Sequence, residues 1–183
     1  MKADASLAEA LAHSDLLFDR ATLGVEIARM GKAIDAELDG ERAVFITVMH
    51  GALVFAGELA LAIATDLEFD YVHATRYRGD TAGGQLHWLR EPKADMQGRT
   101  VLLVDDILDE GHTLKAVRDA CLARGARRVL VATLCSKQHA RRVEGINADF
   151  NGVEVADRYV FGYGMDYHEQ GRNLPGIFAL REA

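Results

Sequence analysis

The stretch VLLVDDILDEGHTL, residues 101–114, decides how the chain is read. Four apolar residues run into the adjacent carboxylates Asp105 and Asp106, a third carboxylate follows at Asp109, and Gly111 turns the chain into an amphipathic segment. Carboxylates this crowded repel one another, so something must neutralise or use them. A buried strand, an acidic turn and a helix start, in that order, describe the carboxyl end of a strand in an α/β sheet, where ligands bind. The helix offers unpaired amides at its positive end, and a glycine lets the backbone fold closely round an anion. Thr113 adds a hydroxyl there or caps the helix. Asp105 and Asp106 are acceptor-only groups, suited to the vicinal hydroxyls of a sugar or to a magnesium ion holding a polyphosphate. Hydroxyls, metal and phosphate together describe a phosphorylated ribose. Taken alone, an acidic pair after a strand is as often a solvated loop; the combination of strand, three aspartates, glycine and helix start shifts the balance.

Outward from this stretch the chain alternates strand and helix. Residues 19–38 place Leu23, Ile27, Met30, Ile34 and Leu38 at spacings of three and four, which predicts a surface helix. AVFITVMHG, residues 43–51, reads as a buried strand ending at Gly51, with a helix over roughly 52–64 behind it. Segments 69–77 and 85–90 predict two strands round the polar loop RGDTAGG. TVLLVDD is the next strand, and residues 113–124 predict a helix with Leu114, Val117 and Cys121 on one face, stopped by Gly125. RVLVATLC, residues 128–135, completes a strand–helix–strand unit. The expected fold class is α/β, a parallel sheet covered by helices on both faces.

Composition agrees with one soluble domain over residues 1–183, since 49% of the residues are hydrophobic and 27% charged. A formal net charge of -7 argues against a protein that mainly holds nucleic-acid backbone. Cys121 and Cys135 form neither a C-x-x-C motif nor a stapled framework, so buried thiols in a reducing, cytoplasmic setting are expected. No apolar run is long enough for a membrane span, and no leader pattern opens the chain. G-x-x-x-x-G-K-[ST] and G-x-G-x-x-G are both absent, as is any zinc spacing of histidines and cysteines.

VLLVDDILDEGHTL resembles the phosphoribosyl-pyrophosphate (PRPP) loop of the type I phosphoribosyltransferases. HATRYRGDTAGG at 73–84 and DRYVFGYGMDYHEQGRN at 157–173 narrow the resemblance to a bacterial branch of the hypoxanthine-guanine phosphoribosyltransferases, running from about residue 15 to residue 180. It implies a parallel sheet flanked by helices, with a small hood over the carboxyl ends of the strands drawn from the N-terminal part and about 153–183. The implied reaction is purine salvage: Mg2+-dependent transfer of the 5-phosphoribosyl group from PRPP to N9 of hypoxanthine or guanine. IMP or GMP and pyrophosphate would form through an oxocarbenium-like transition state. A homodimer or homotetramer is implied as well.

Carried over by position, the resemblance puts Asp105 and Asp106 on the ribose 2′- and 3′-hydroxyls beside a PRPP-bound magnesium ion. Asp109, Glu110, Gly111, His112 and Thr113 would cradle the 5′-phosphate, and Asp109 would also stand beside purine N7 as general acid/base. Lys137 would face purine O6, where an ammonium that only donates suits a 6-oxo group and opposes the 6-amino group of adenine. Tyr159 would stack on the purine, the carbonyl of Val160 would face the 2-amino group of guanine, and Ile107 would line the same site. On the pyrophosphate side, His50 and Gly51 take the place of a basic residue and a glycine, in a peptide often cis when pyrophosphate binds. Arg76 and Tyr77 would begin a loop, to about Gln85, that closes over the centre; Arg172 would bind pyrophosphate and Asp166 a second magnesium. Read without the resemblance, Lys137, Asp166 and Arg172 are surface charges and Tyr159 is ordinary core. His50, Arg76, Glu110 and His112 depart from the family's usual residues, so pyrophosphate affinity and its pH dependence do not carry over. The three aspartates would be crowded because their partners, a metal, two hydroxyls and a purine proton, arrive with substrate.

Two other readings compete. VLLVDD also resembles the first strand of phosphorelay receiver domains, but the strands and helices before residue 100 would then go unexplained. A non-catalytic regulator that senses nucleotides on the same fold is the second.

Overall fold

The computed structural model describes residues 6–76 and 86–181. Ser6 opens α1 (Leu7–Ala12) with a capping box, its hydroxyl accepting from Glu9 N while the Glu9 carboxylate takes the Ser6 N–H. β1 (Ser14–Asp19) follows, and Asp19 caps α2 (Arg20–Leu38) by accepting from Thr22 N at 2.8 Å. The five apolar residues spaced along α2 are all buried, as the pattern predicts. β2 (Val44–Met49) stops two residues short of Gly51, because Ala52 N bonds to Val48 O and Leu53 N to His50 O in a turn. That turn leads into α3 (Leu53–Ala62), β3 (Glu68–Arg76) and β4 (Leu86–Arg90).

β5 (Thr100–Leu108) runs two residues past the acidic pair, α4 (His112–Ala123) starts one residue before the expected position, and β6 (Arg128–Lys137) continues two residues beyond Cys135. β7 (Phe150–Val155), β8 (Val160–Phe161) and β9 (Gly176–Leu180) complete the chain. Six strands form the main sheet in the order β4-β3-β2-β5-β6-β7, parallel except for β4 against β3. Because β7 pairs with β6, residues 153–155 belong to this sheet and not to the hood in which the sequence reading put them.

Side chains of β5 alternate between two core layers. Leu102 and Val104 pack with the α2 stripe and with Phe55 and Leu59 of α3; Val101 and Leu103 pack with Leu114, Val117 and Cys121 of α4. The chain therefore leaves the neighbouring strands β2 and β5 for opposite faces of the sheet. Such a reversal opens a crevice between the two carboxyl ends, and the topology alone marks this one as the ligand site.

A second sheet, antiparallel and ordered β1-β9-β8, joins the two ends of the described chain, with Ser14 opposite Leu180 and Asp19 opposite Gly176. The turn after β8 packs onto the end of β2: Gly164, at φ +107°, sits so close that an added Cβ would fall 1.9 Å from Gly51 O. Buried Tyr163 fastens the same turn to α3, its hydroxyl donating to the Glu58 carboxylate at 2.5 Å. Among the described residues, no helix is long and apolar enough to cross a membrane.

Candidate active site

Asp105 and Asp106 belong to β5 itself, half-buried at its carboxyl end, and not to a solvated turn. Asp105 Oδ1 accepts the Asp106 N–H at 3.0 Å, and Asp106 Oδ1 accepts the Ile107 N–H at 2.8 Å. Burial pushes both carboxyls above their ordinary range, and the charge of Asp106 pushes Asp105 further in the same direction. The positive charge of Arg172 acts the other way on Asp106. Basic groups round the crevice are engaged elsewhere, Lys137 with Asp109 and Arg172 with Asp166. Two half-buried carboxylates without an ion-pair partner among the described residues have the chemistry a hard divalent ion takes.

Asp106 also lies against the turn that follows β2, since an added Cβ on Gly51 would fall 1.9 Å from its Oδ2. The cis peptide of this turn is Met49–His50, one bond before the His50–Gly51 peptide that the resemblance pointed to. His50 itself is exposed, its ring centroid 4.4 Å from that of His73.

Asp109 corrects the expectation that all three aspartates wait for substrate. Its Oδ2 accepts from Lys137 Nζ at 2.8 Å and its Oδ1 is 2.6 Å from His139 Nε2. Burial alone would raise this carboxyl, but the hydrogen bonds from Lys137 and His139 and the charge of Lys137 outweigh it and hold the group below the usual carboxylate range. The crowding of the sequence is thus resolved by separation: a half-buried pair with no ion-pair partner among the described residues on one side, a compensated carboxylate on the other. Asp157 stands next to this group, 4.0 Å from Lys137 Nζ and doubly bonded by Arg141 at 2.6 and 2.9 Å. Asp109, His139 and Asp157 bring ligand atoms within 4.8 Å of one another, yet Lys137 and Arg141 already supply the positive charge a metal would bring.

Gly111, at φ +82°, is the N-cap of α4, and an added Cβ there would fall 2.6 Å from Ile146 Cγ2. No side chain caps the helix, so Thr113 does not play that part and the first amides stay available. The Glu110 side chain is 47% exposed, 3.6 Å from His112 and 3.8 Å from Arg141, so its charge has basic side chains beside it.

Over the crevice, Tyr159 is 45% exposed and hence not the ordinary core residue that its sequence alone suggested. Its hydroxyl donates to Asp166 O at 3.1 Å, and Tyr167 meets its ring edge-to-face at 5.8 Å. Val160 is buried in β8 and Ile107 half-buried near the end of β5. Arg172 pairs with Asp166 at 2.9 Å and donates to Gly164 O at 2.9 Å, so these two charges are built into the turn that covers Gly51. Arg76 ends β3; Tyr77 and the expected closing loop as far as Gln85 lie outside the described residues.

A family model described as the phosphoribosyl transferase domain matches residues 14–169. A hypoxanthine-guanine phosphoribosyltransferase of Streptococcus pneumoniae is 38% identical over 162 residues, covering 86% of this chain and 89% of that protein. The chain belongs to the hypoxanthine-guanine phosphoribosyltransferases. A Streptococcus agalactiae protein of the same name is 32% identical over 168 residues, covering 91% of this chain and 93% of the other. Among solved structures, a hypoxanthine phosphoribosyltransferase of Staphylococcus aureus superposes with a TM-score of 0.85 at 27% identity, over 91% of each chain. A Bacillus anthracis hypoxanthine-guanine phosphoribosyltransferase gives 0.84 at 29% identity, over 91% of this chain and 98% of that one.

Within this phosphoribosyltransferase the receiver reading fails, because residues before 100 supply β2 and β3 of the same sheet. The sensor reading gains no support. Sequence reasoning missed His139 and Asp157. Neither has a signal in the sequence: β6 ends at Lys137, so strand alternation does not reach His139, and Asp157 lies in the loop after β7.

Proposed function

We propose that the crevice between β2 and β5 transfers the 5-phosphoribosyl group of PRPP to N9 of hypoxanthine or guanine, yielding IMP or GMP and pyrophosphate. The observation that carries this reading is the half-buried Asp105–Asp106 pair, which has no ion-pair partner among the described residues, beside an uncapped helix start at the point where the sheet reverses direction. The amides of Gly111, His112 and Thr113 take the 5′-phosphate, while Asp105 and Asp106 hold the ribose hydroxyls and would hold a magnesium ion beside them. Asp166 would hold a second ion once its pairing with Arg172 opens. Metal bound at these carboxylates would neutralise charge gathering on pyrophosphate. Arg172, already aimed across the Gly164 turn, binds the leaving group from the protein side, with His50 and Gly51 at the end of β2.

On the base side, Asp109 takes the N7 proton as N9 bonds to C1′ and the C1′–O bond to pyrophosphate breaks. Lys137 turns from Asp109 Oδ2 to purine O6, which frees that oxygen for N7. Tyr159 offers an exposed ring for stacking, and Val160 and Ile107 border the base. Two unpaired, buried thiols fit a reducing compartment such as the cytoplasm. Assembly into two or four copies belongs to the same reading.

Lys137→Ala tests the base site. Its kcat/KM for hypoxanthine and guanine should fall by about 10- to 100-fold, the value of one hydrogen bond from a charged donor, while PRPP affinity stays within about twofold. Steady-state kinetics with PRPP titrations read both. Equal losses for the two substrates would contradict the assignment of Lys137 to the base.

A further inference from the structure

We infer that His139 is a positioning residue for Asp109, the fixed partner that keeps its carboxylate aimed while Lys137 turns to the base. The inference rests on the role of Asp109 proposed above and adds a residue to it. Asp109 has two oxygens and two partners, Lys137 on Oδ2 and His139 on Oδ1. The partners differ in what they can do. Lys137 carries its charge on a flexible four-carbon stem with three donors, so it can change partner as the base enters.

His139 cannot move in that way. Its side chain is 4% exposed, and both ring nitrogens are occupied. Nδ1 accepts the Arg141 N–H at 3.1 Å, so in the neutral ring Nε2 carries the hydrogen and donates it to Asp109 Oδ1 at 2.6 Å. A backbone amide thus fixes the tautomer and the orientation of a ring that has one place to point. This is the arrangement of a base oriented by a third group, transferred to a carboxylate.

Arg142 lines the same cavity as Lys137 and His139 and donates to Lys137 O at 2.9 Å. Among the described residues, the other charges near the pair form a chain. Lys137 lies on Asp109, Asp157 is 4.0 Å from Lys137, Arg141 binds Asp157, and Glu110 is 3.8 Å from Arg141. When Lys137 turns to O6, His139 is the side chain left on Asp109. Its hydrogen bond is one of those that hold the Asp109 carboxyl low against burial, so removing it raises that group. A raised base needs a higher pH to be ionised.

His139→Ala should lower kcat about tenfold with the KM for PRPP unchanged within about twofold, and should move the acid limb of the pH–rate profile to higher pH. His139→Gln, which keeps a neutral donor, should restore most of kcat. A packing role alone would leave the acid limb in place and would not discriminate glutamine from alanine. Carbon-13 NMR of the Asp109 carboxyl reads the contact without turnover: its titration midpoint should be higher in His139→Ala than in the unaltered chain. Superimposed titrations, or an unchanged kcat and acid limb in His139→Ala, would overturn the inference. Absence of turnover in the unaltered chain would overturn the proposed function instead, and the NMR titration would then decide the His139 contact by itself.

Discussion

Asp109→Asn should lower kcat by about 10²- to 10⁴-fold while PRPP binding stays near normal. The amide has the shape of the carboxylate and still offers one oxygen to His139, so the loop geometry is kept. What it loses is the basicity that takes the purine proton. Lys137, only 13% exposed, loses its 2.8 Å partner but retains Asp157 at 4.0 Å, which limits the structural cost. The acid limb due to the Asp109 carboxylate should vanish from the pH–rate profile of this variant. Pre-steady-state and steady-state rates with hypoxanthine, together with PRPP titration, measure both halves. An unchanged rate would remove Asp109 from the chemistry.

Gly164→Ala should have the largest structural effect of any single methyl group in the site. Its backbone lies at φ +107°, and the new Cβ would fall 1.9 Å from a backbone oxygen, Gly51 O, which no side-chain rotation can move away. Strain and overpacking together should cost roughly 3 kcal/mol, about 6–12 °C in Tm for a chain of this size. Because the Gly164 carbonyl also accepts from Arg172, the KM for PRPP should rise with it, by about tenfold or more if one charged hydrogen bond is lost. Gly24→Ala is the control: it lies in α2 with nothing within 4 Å of the new Cβ, and should be neutral or stabilising by about 0.5–1 kcal/mol. Thermal melts of the two variants separate the collision from a general intolerance of alanine.

The parts of the fold that were legible each carry their own periodicity. The stripe of α2, the apolar runs of β2, β5 and β6 and the amphipathic face of α4 are local patterns, and each lands within about two residues of its expected place. The second sheet has no such signature. SDLLFD and GIFAL pair across most of the chain, and β8 is two residues long, so only tertiary contact defines these strands. Asp105 and Asp106 could be placed because the strand before them is unmistakable. The partners of Asp109 could not, since neither His139 nor Asp157 carries a motif and their meeting depends on how the segment after β6 folds back. Tyr159 shows the same limit, because an aromatic beside a strand reads as core until the sheet beneath it is seen to leave one face open.

The central claim is that this crevice joins a phosphoribosyl group to a 6-oxopurine. Ultraviolet absorbance of nucleotide formation, with magnesium and PRPP and with hypoxanthine, guanine, xanthine and adenine in parallel, tests it most directly. Turnover of hypoxanthine and guanine without turnover of adenine is the expected result. Turnover of adenine at the rate of hypoxanthine, or of no base at all, would contradict it.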